Sequence, residues 1–139
     1  MMTGSDLGKY LPQCPPMRLI DTILAVDSKL ARCKTTITTD NIFYDPNISG
    51  IYSWVGVELM AQTMAVLAHF PQPDTEPQIG YLISIRNFSC KQLFFQLGDT
   101  VIITAENEYL QDGIGVFACQ IELNGCVVAS AKLTAVEPK

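Results

Sequence analysis

Histidine is almost missing from this chain: among 139 residues there is one, His69. Cationic side chains are also scarce, with 9 Lys and Arg against 14 Asp and Glu, for a net charge of −5. Phosphate backbones are bound through basic patches, and the sequence has no run of Lys or Arg, so no nucleic-acid partner is expected. The cysteines Cys14, Cys33, Cys90, Cys119 and Cys126 are odd in number and form no C-x-x-C pair. That spacing signals neither a disulfide framework nor a metal site, and reduced packing thiols are expected. No apolar run reaches the roughly 18 residues of a membrane span without meeting a charge or a proline. Residues 1–9 lack the charged-then-apolar layout of a signal peptide, so a cytoplasmic protein away from any membrane is expected.

What is present suits a compact fold. Hydrophobic residues make up 48% of the chain and charged residues 17%, which gives one domain over residues 1–139 enough apolar material for a core. Residues 53–70 read as one long helix, with Ser53 as N-cap and Pro71 and Pro73 as stops, spanning about 25 Å. It is apolar nearly all the way round, so the whole rod is expected to be buried. Glu58 is the one formally charged residue inside it. Desolvation disfavours a buried carboxylate, so Glu58 needs a partner or a use.

The rest of the chain arranges itself around that helix. Residues 9–17 carry Pro12, Pro15 and Pro16 and read as an irregular arm. Residues 18–26 and 30–39 have the β-branched content of two strands, joined by the turn Asp27-Ser28-Lys29. Residues 40–52 are rich in Asn, Asp, Pro, Ser and Gly, a loop that would deliver the chain to the helix and wall a site there. After a polar connection over residues 71–77, four more strands are expected at 78–90, 100–109, 115–123 and 126–136. Leu97-Gly98-Asp99, Asp112-Gly113 and Asn124-Gly125 supply the turns. In the last strand Val127, Ala129, Ala131, Leu133 and Ala135 would face the core. The implied architecture is α+β, a curved antiparallel sheet wrapped around one long central helix, which is the hot-dog fold. A doubly wound sheet needs more crossover helices than this sequence offers.

Three motifs carry a resemblance that covers nearly the whole chain. The segment from Leu11-Pro12-Gln13 to Leu19-Ile20-Asp21 resembles the Leu-Pro-His-x-x-Pro-x-x-Leu-Ile/Val-Asp opening of the 3-hydroxyacyl-acyl carrier protein dehydratases. Glu58-Leu59-Met60-Ala61-Gln62 resembles their Glu-x-Met-Ala-Gln helix motif, and Leu97-Gly98-Asp99 their Pro-Gly-Asp turn. Trp54-Val55-Gly56-Val57-Glu58 is similar to a divergent branch of these dehydratases from aryl polyene-type pathways. The resemblance implies a dimer whose sites combine a loop His from one subunit with the helix Glu of the other. It also implies a substrate carried as an acyl thioester on the phosphopantetheine of an acyl carrier protein or of coenzyme A, with no further cofactor. In such a pair one group takes the proton beside the thioester carbonyl and the other protonates the departing 3-hydroxyl. Helix N-terminal amides stabilise the enolate-like oxygen.

The sequence departs from the family where the His belongs: the loop reads Asn41-Ile42-Phe43-Tyr44-Asp45-Pro46-Asn47, and Gln13 replaces the His of the opening motif. His69 lies about 16 Å along the helix from Glu58, too far for a proton relay, and is expected to pack at the helix end. Three arrangements follow. Glu58 acts alone with Tyr44 or Asp45 assisting; a related hot-dog subunit supplies the His in a heterodimer; or the chain is a non-catalytic binding or scaffolding subunit. A hot-dog thioesterase, using the same carboxylate to activate water, is the alternative enzyme.

For Tyr44 and Asp45 the competing use is a loop turn. Gln62, Trp54, Val57 and Phe43 are candidate substrate-binding residues. Gln62 competes as a same-face partner fixing Glu58, and Trp54 as a buried anchor at the head of the helix. Phe88, Phe94 and Phe95 are core residues first and tunnel walls second. Arg86 and Lys91 are candidates for local docking of an acidic carrier, which the net negative charge would not steer. A dimer, with itself or with a relative, would bury an edge strand and the open flank of the sheet.

Overall fold

A computed structural model describes residues 2–70 and 81–136. The expected connection at 71–77, both proline stops and the first residues of the strand expected at 78–90 lie outside the described residues. The chain runs through β1 (Met2–Thr3), a 3-10 helix (Gly4–Lys9), β2 (Thr22–Val26), β3 (Leu30–Thr36) and β4 (Gly50–Tyr52). A 3-10 turn (Ser53–Val55) then leads into α1 (Gly56–His69). Beyond it come β5 (Tyr81–Cys90), β6 (Phe94–Gln96), β7 (Thr100–Gln111), β8 (Ile114–Leu123) and β9 (Cys126–Val136).

Seven strands form an antiparallel sheet in the order β1-β2-β3-β7-β8-β9-β5, and β4 pairs with β6 in a separate ribbon. Irregularities in β2, β5 and β7 break the register and add twist, which lets the sheet curve around α1. The hairpins close as their turn residues dictate. Asp112-Gly113 and Asn124-Gly125 all have positive φ, 56° and 77°, then 54° and 81°, as a type I′ turn requires. Asp27 accepts hydrogen bonds from the backbone of Lys29 and Leu30 at 2.8 and 2.9 Å and so shapes the β2–β3 turn.

Alternation then builds the core. Ala31 and Cys33 of β3, Val101, Ile103 and Ala105 of β7, Phe117, Cys119 and Ile121 of β8, and Ala129, Ala131 and Leu133 of β9 are buried with Leu59, Met60, Val66 and Leu67 of α1. Val127 departs from the expected pattern. The β8–β9 register shifts between Ile121 and Glu122, so Val127 is exposed and Val128 packs against the core instead. Burial pushes the Cys33 and Cys119 thiols up to about 12, as befits inert packing groups. Cys14 and Cys126 are exposed, so packing does not account for them.

Two expectations about the helix are corrected. Ser53 is not its cap: the 3-10 turn takes up the first residues, Val55 precedes α1 with no side-chain cap, and the Ser53 amide donates to the Leu93 carbonyl at 2.9 Å. Nor is the rod buried all round. Val57, Glu58, Ala61, Ala65, Ala68 and His69 are half-buried, and at 100° per residue they form one continuous sector. The sheet and the N-terminal arm cover the remaining faces, and among the described residues this small-residue flank is only partly covered.

Candidate active site

The first turn of α1 begins Gly56-Val57-Glu58, so Glu58 sits at the positive end of the helix dipole, while the Gly56 amide is already taken by the Ser53 and Trp54 carbonyls of the 3-10 turn. Gly56 lets α1 lie close to the sheet: a Cβ there would meet the tip of the Ile121 side chain at 2.9 Å, and that tip would have to turn aside. Burial pushes the Glu58 carboxyl above the ordinary carboxylate range, and a hydrogen bond from Gln62 pulls it partway back. That bond is long, Gln62 Nε2 to Glu58 Oε1 at 3.5 Å.

Gln62 is fully buried and makes two shorter bonds. Its Oε1 accepts from the Leu19 amide at 2.8 Å, and its Nε2 donates to the Met17 carbonyl at 3.0 Å. The expected same-face pairing with Glu58 is therefore present, joined by an attachment to the arm that the sequence did not signal.

The loop before the helix is built from turns. Asn41 Oδ1 accepts from the Phe43 amide at 2.8 Å, Asp45 Oδ1 from the Asn47 amide at 2.9 Å, and Asp45 bridges to Gly50 through the backbone. Asp45 thus has a turn role, and among the described residues neither it nor Tyr44 shares a hydrogen bond with Glu58. Phe43 meets Trp54 edge to face, ring centres 5.9 Å apart. Trp54 is 58% exposed, which removes the buried-anchor reading, because the 3-10 turn swings it onto the open flank of the helix. Val57 is half-buried against the core. Phe95 is fully buried, and Phe88 packs against the core.

His69 is at the far end of α1, edge-on to Tyr10 with ring centres 6.0 Å apart. This is the expected end-of-helix packing. Arg86 and Lys91 are exposed, and Arg86 is in register with Lys132 across β5 and β9. A hollow of about 390 Å³ lies on the outer face of the sheet, lined by Thr104, Glu106, Ala118, Gln120, Ser130 and Lys132. These residues alternate with the core-facing set, so this hollow is not the site that Glu58 occupies.

A curved antiparallel sheet around one central helix defines a hot-dog protein, and this one carries a half-buried carboxylate, Glu58, in that helix's first turn. The family model for ApeP dehydratase, ApeP-like, matches residues 5–139, and the chain belongs to that family. It is therefore a dehydratase-type protein, a hydro-lyase by class. The chain is 29% identical to the 3-hydroxyacyl-acyl-carrier-protein dehydratase FabZ of Wolbachia pipientis wMel, over 95% of this chain and 94% of the relative. It is 27% identical to the FabZ of Deinococcus radiodurans, over 92% of this chain and 88% of that one. Among solved structures, a chain of the dehydratase heterocomplex ApeI:P from Xenorhabdus doucetiae matches with a TM-score of 0.88 at 23% identity, covering 96% of this chain and 91% of that chain. The dehydratase reading of the sequence is thereby favoured over the thioesterase and the scaffold.

Proposed function

We propose that this chain is the Glu58-bearing half of a 3-hydroxyacyl-thioester dehydratase whose other half is a related hot-dog subunit carrying a histidine. The observation that carries the reading is the isolation of Glu58. It is half-buried in the first turn of α1, its carboxyl is raised by burial, and the chain's one His is eleven residues further along the helix. One positioned carboxyl of the right protonation tendency is half of an elimination site.

In the proposed reaction the partner's imidazole takes the proton from the carbon beside the thioester carbonyl. Glu58, whose neutral form burial favours, gives its proton to the 3-hydroxyl. The C–O bond breaks, water leaves, and the C=C bond of the enoyl thioester forms. Eliminating water changes no oxidation state, so the step calls for no redox cofactor. The positive end of the α1 dipole would favour the enolate-like oxygen. Phe43, Trp54 and Val57 flank Glu58's end of the helix and would line the acyl chain's path. Tyr44 and Asp45 would assist from the loop. The acyl group would arrive on the phosphopantetheine of an acyl carrier protein, and the free thiols fit a reducing compartment such as the cytoplasm.

Support for a partner comes from the open flank of α1 and from the solved relative, which is itself a dehydratase heterocomplex. The test is turnover of a 3-hydroxyacyl-carrier thioester followed by mass, with this chain alone, with a His-bearing hot-dog subunit, and with Glu58→Gln in place of the wild type. Enoyl product that needs both subunits and Glu58 is expected. Full activity from the His-bearing subunit alone, or unchanged activity with Glu58→Gln, would sink the proposal, and release of free acid would replace it with hydrolysis.

A further inference from the structure

The arm that precedes β2 meets α1 from Gln62 to the helix's last turn. Tyr10 packs on His69 at the helix's last turn, and residues 17–19 reach Gln62 one turn beyond Glu58. This arm is itself fixed from the other side by β3. The Thr35 hydroxyl donates to the Leu19 carbonyl at 3.0 Å, the Asp21 amide to the Lys34 carbonyl at 3.0 Å, and the Thr36 amide to Asp21 Oδ2 at 2.7 Å.

A carboxamide has one acceptor end and one end with two N–H donors. In Gln62 the acceptor end is taken by the Leu19 amide, and one of the two N–H groups by the Met17 carbonyl. Turning the amide over would set oxygen against oxygen and N–H against N–H inside a fully buried site, so its orientation is locked. The remaining N–H is the one that meets Glu58 Oε1. We infer that Gln62 is a positioning residue through which the arm aims a hydrogen-bond donor at Glu58, holding one carboxylate oxygen and leaving the other for the substrate. A donor to the ionised form favours that form, so the arm also restrains the upward pull of burial on Glu58.

The inference rests on Glu58 being the site carboxylate, but its test does not rest on turnover. In the full chain, the side-chain carboxyl of Glu58 and the side-chain amide of Gln62 are followed by NMR through a pH titration. The Gln62 amide protons are expected to shift along the Glu58 titration curve. With Gln62→Leu, which keeps the bulk and removes the donor, Glu58 is expected to titrate at higher pH, and the Leu19 amide to exchange with solvent about tenfold faster or more. A wild-type Gln62 amide that stays silent while Glu58 titrates would overturn the inference, whether or not the variant folds. Glu58 titrating at the same pH in a folded Gln62→Leu chain would overturn it too. Coupling without dehydratase turnover would sink the proposed function and leave the positioning intact.

Discussion

At the scale of residues, a carboxylate half-covered by a helix and its surroundings works against the fold whenever it is ionised. Glu58 has a folded pKa raised above its ordinary value, so between that value and the raised one the native state binds more protons than the unfolded state. Stability contributed at this position is full below the ordinary carboxylate range and declines as pH rises through the raised value. Glu58→Gln keeps the shape and still accepts from Gln62, but it has no charge to desolvate. Thermal unfolding should therefore show the variant gaining on the wild type at pH 7, the gap closing at pH 4. A variant less stable at pH 7 would mean that Glu58 has a stabilising charge partner, contrary to the geometry. The same substitution should lower turnover by about 10²- to 10⁴-fold, the usual worth of a positioned acid or base. Asp45 predicts the opposite pattern. Its Oδ1 caps the loop turn, a task Asn performs equally well, so Asp45→Asn should leave stability within about 0.5 kcal/mol of wild type by urea titration. A large drop in turnover in that variant, at unchanged stability, would give Asp45 the assisting role over the turn role.

Among the elements, those with period and punctuation were legible in the sequence. The hairpin turns carry Asp-Gly and Asn-Gly, β7 to β9 alternate, and α1 is a long apolar run, so their existence followed directly. The β4–β6 ribbon was not legible, because three-residue strands such as Gly50–Tyr52 and Phe94–Gln96 are too short to show a period. The 3-10 turn before α1 escaped for the same reason. Of the site, Glu58 was legible as a charge out of place and as a motif residue. The grip of Gln62 on the arm was not, since it joins a side chain to backbone groups 43 and 45 residues away, with no side-chain pattern to mark them. The Leu97-Gly98-Asp99 motif turns out to shape the chain between β6 and β7: Gly98 has φ of 90° and Asp99 Oδ2 accepts from the Gln96 amide at 2.9 Å. The ribbon itself predicts a sensitive position. A Cβ on Gly50 would come within 2.0 Å of the Phe95 carbonyl oxygen, which is backbone and has no rotamer to yield. Gly50→Ala should cost about 1–3 kcal/mol in a urea titration, with the slope unchanged. A loss under about 0.5 kcal/mol would show that the ribbon parts easily.

At the scale of the whole molecule, the described residues leave one flank of the central helix only half-covered. Val57, Ala61, Ala65 and Ala68 are half-buried apolar residues, and Trp54, 58% exposed, stands at the head of the same sector beside Glu58. Small apolar side chains allow another surface to come close, and a tryptophan beside them supplies a large contact area, the makings of an interface core with Glu58 at its rim. Placing a charge there separates assembly from folding. In the free chain, Ala65→Arg can send its guanidinium past the half-open helix face to water while its stem lies on apolar neighbours, so the fold should survive with a stability change of about 1 kcal/mol or less. A partner seated on the small side chains of this flank would be wedged off by a side chain of that length, and assembly should be lost. Light scattering of the chain mixed with a His-bearing hot-dog subunit, alongside circular dichroism of the variant alone, reads both quantities. A folded Ala65→Arg chain that still assembles and still turns over substrate would place the partner elsewhere, against a sheet edge. A folded chain that no longer assembles and no longer supports turnover would show that the unfinished helix flank and the unfinished catalytic pair are completed by the same contact.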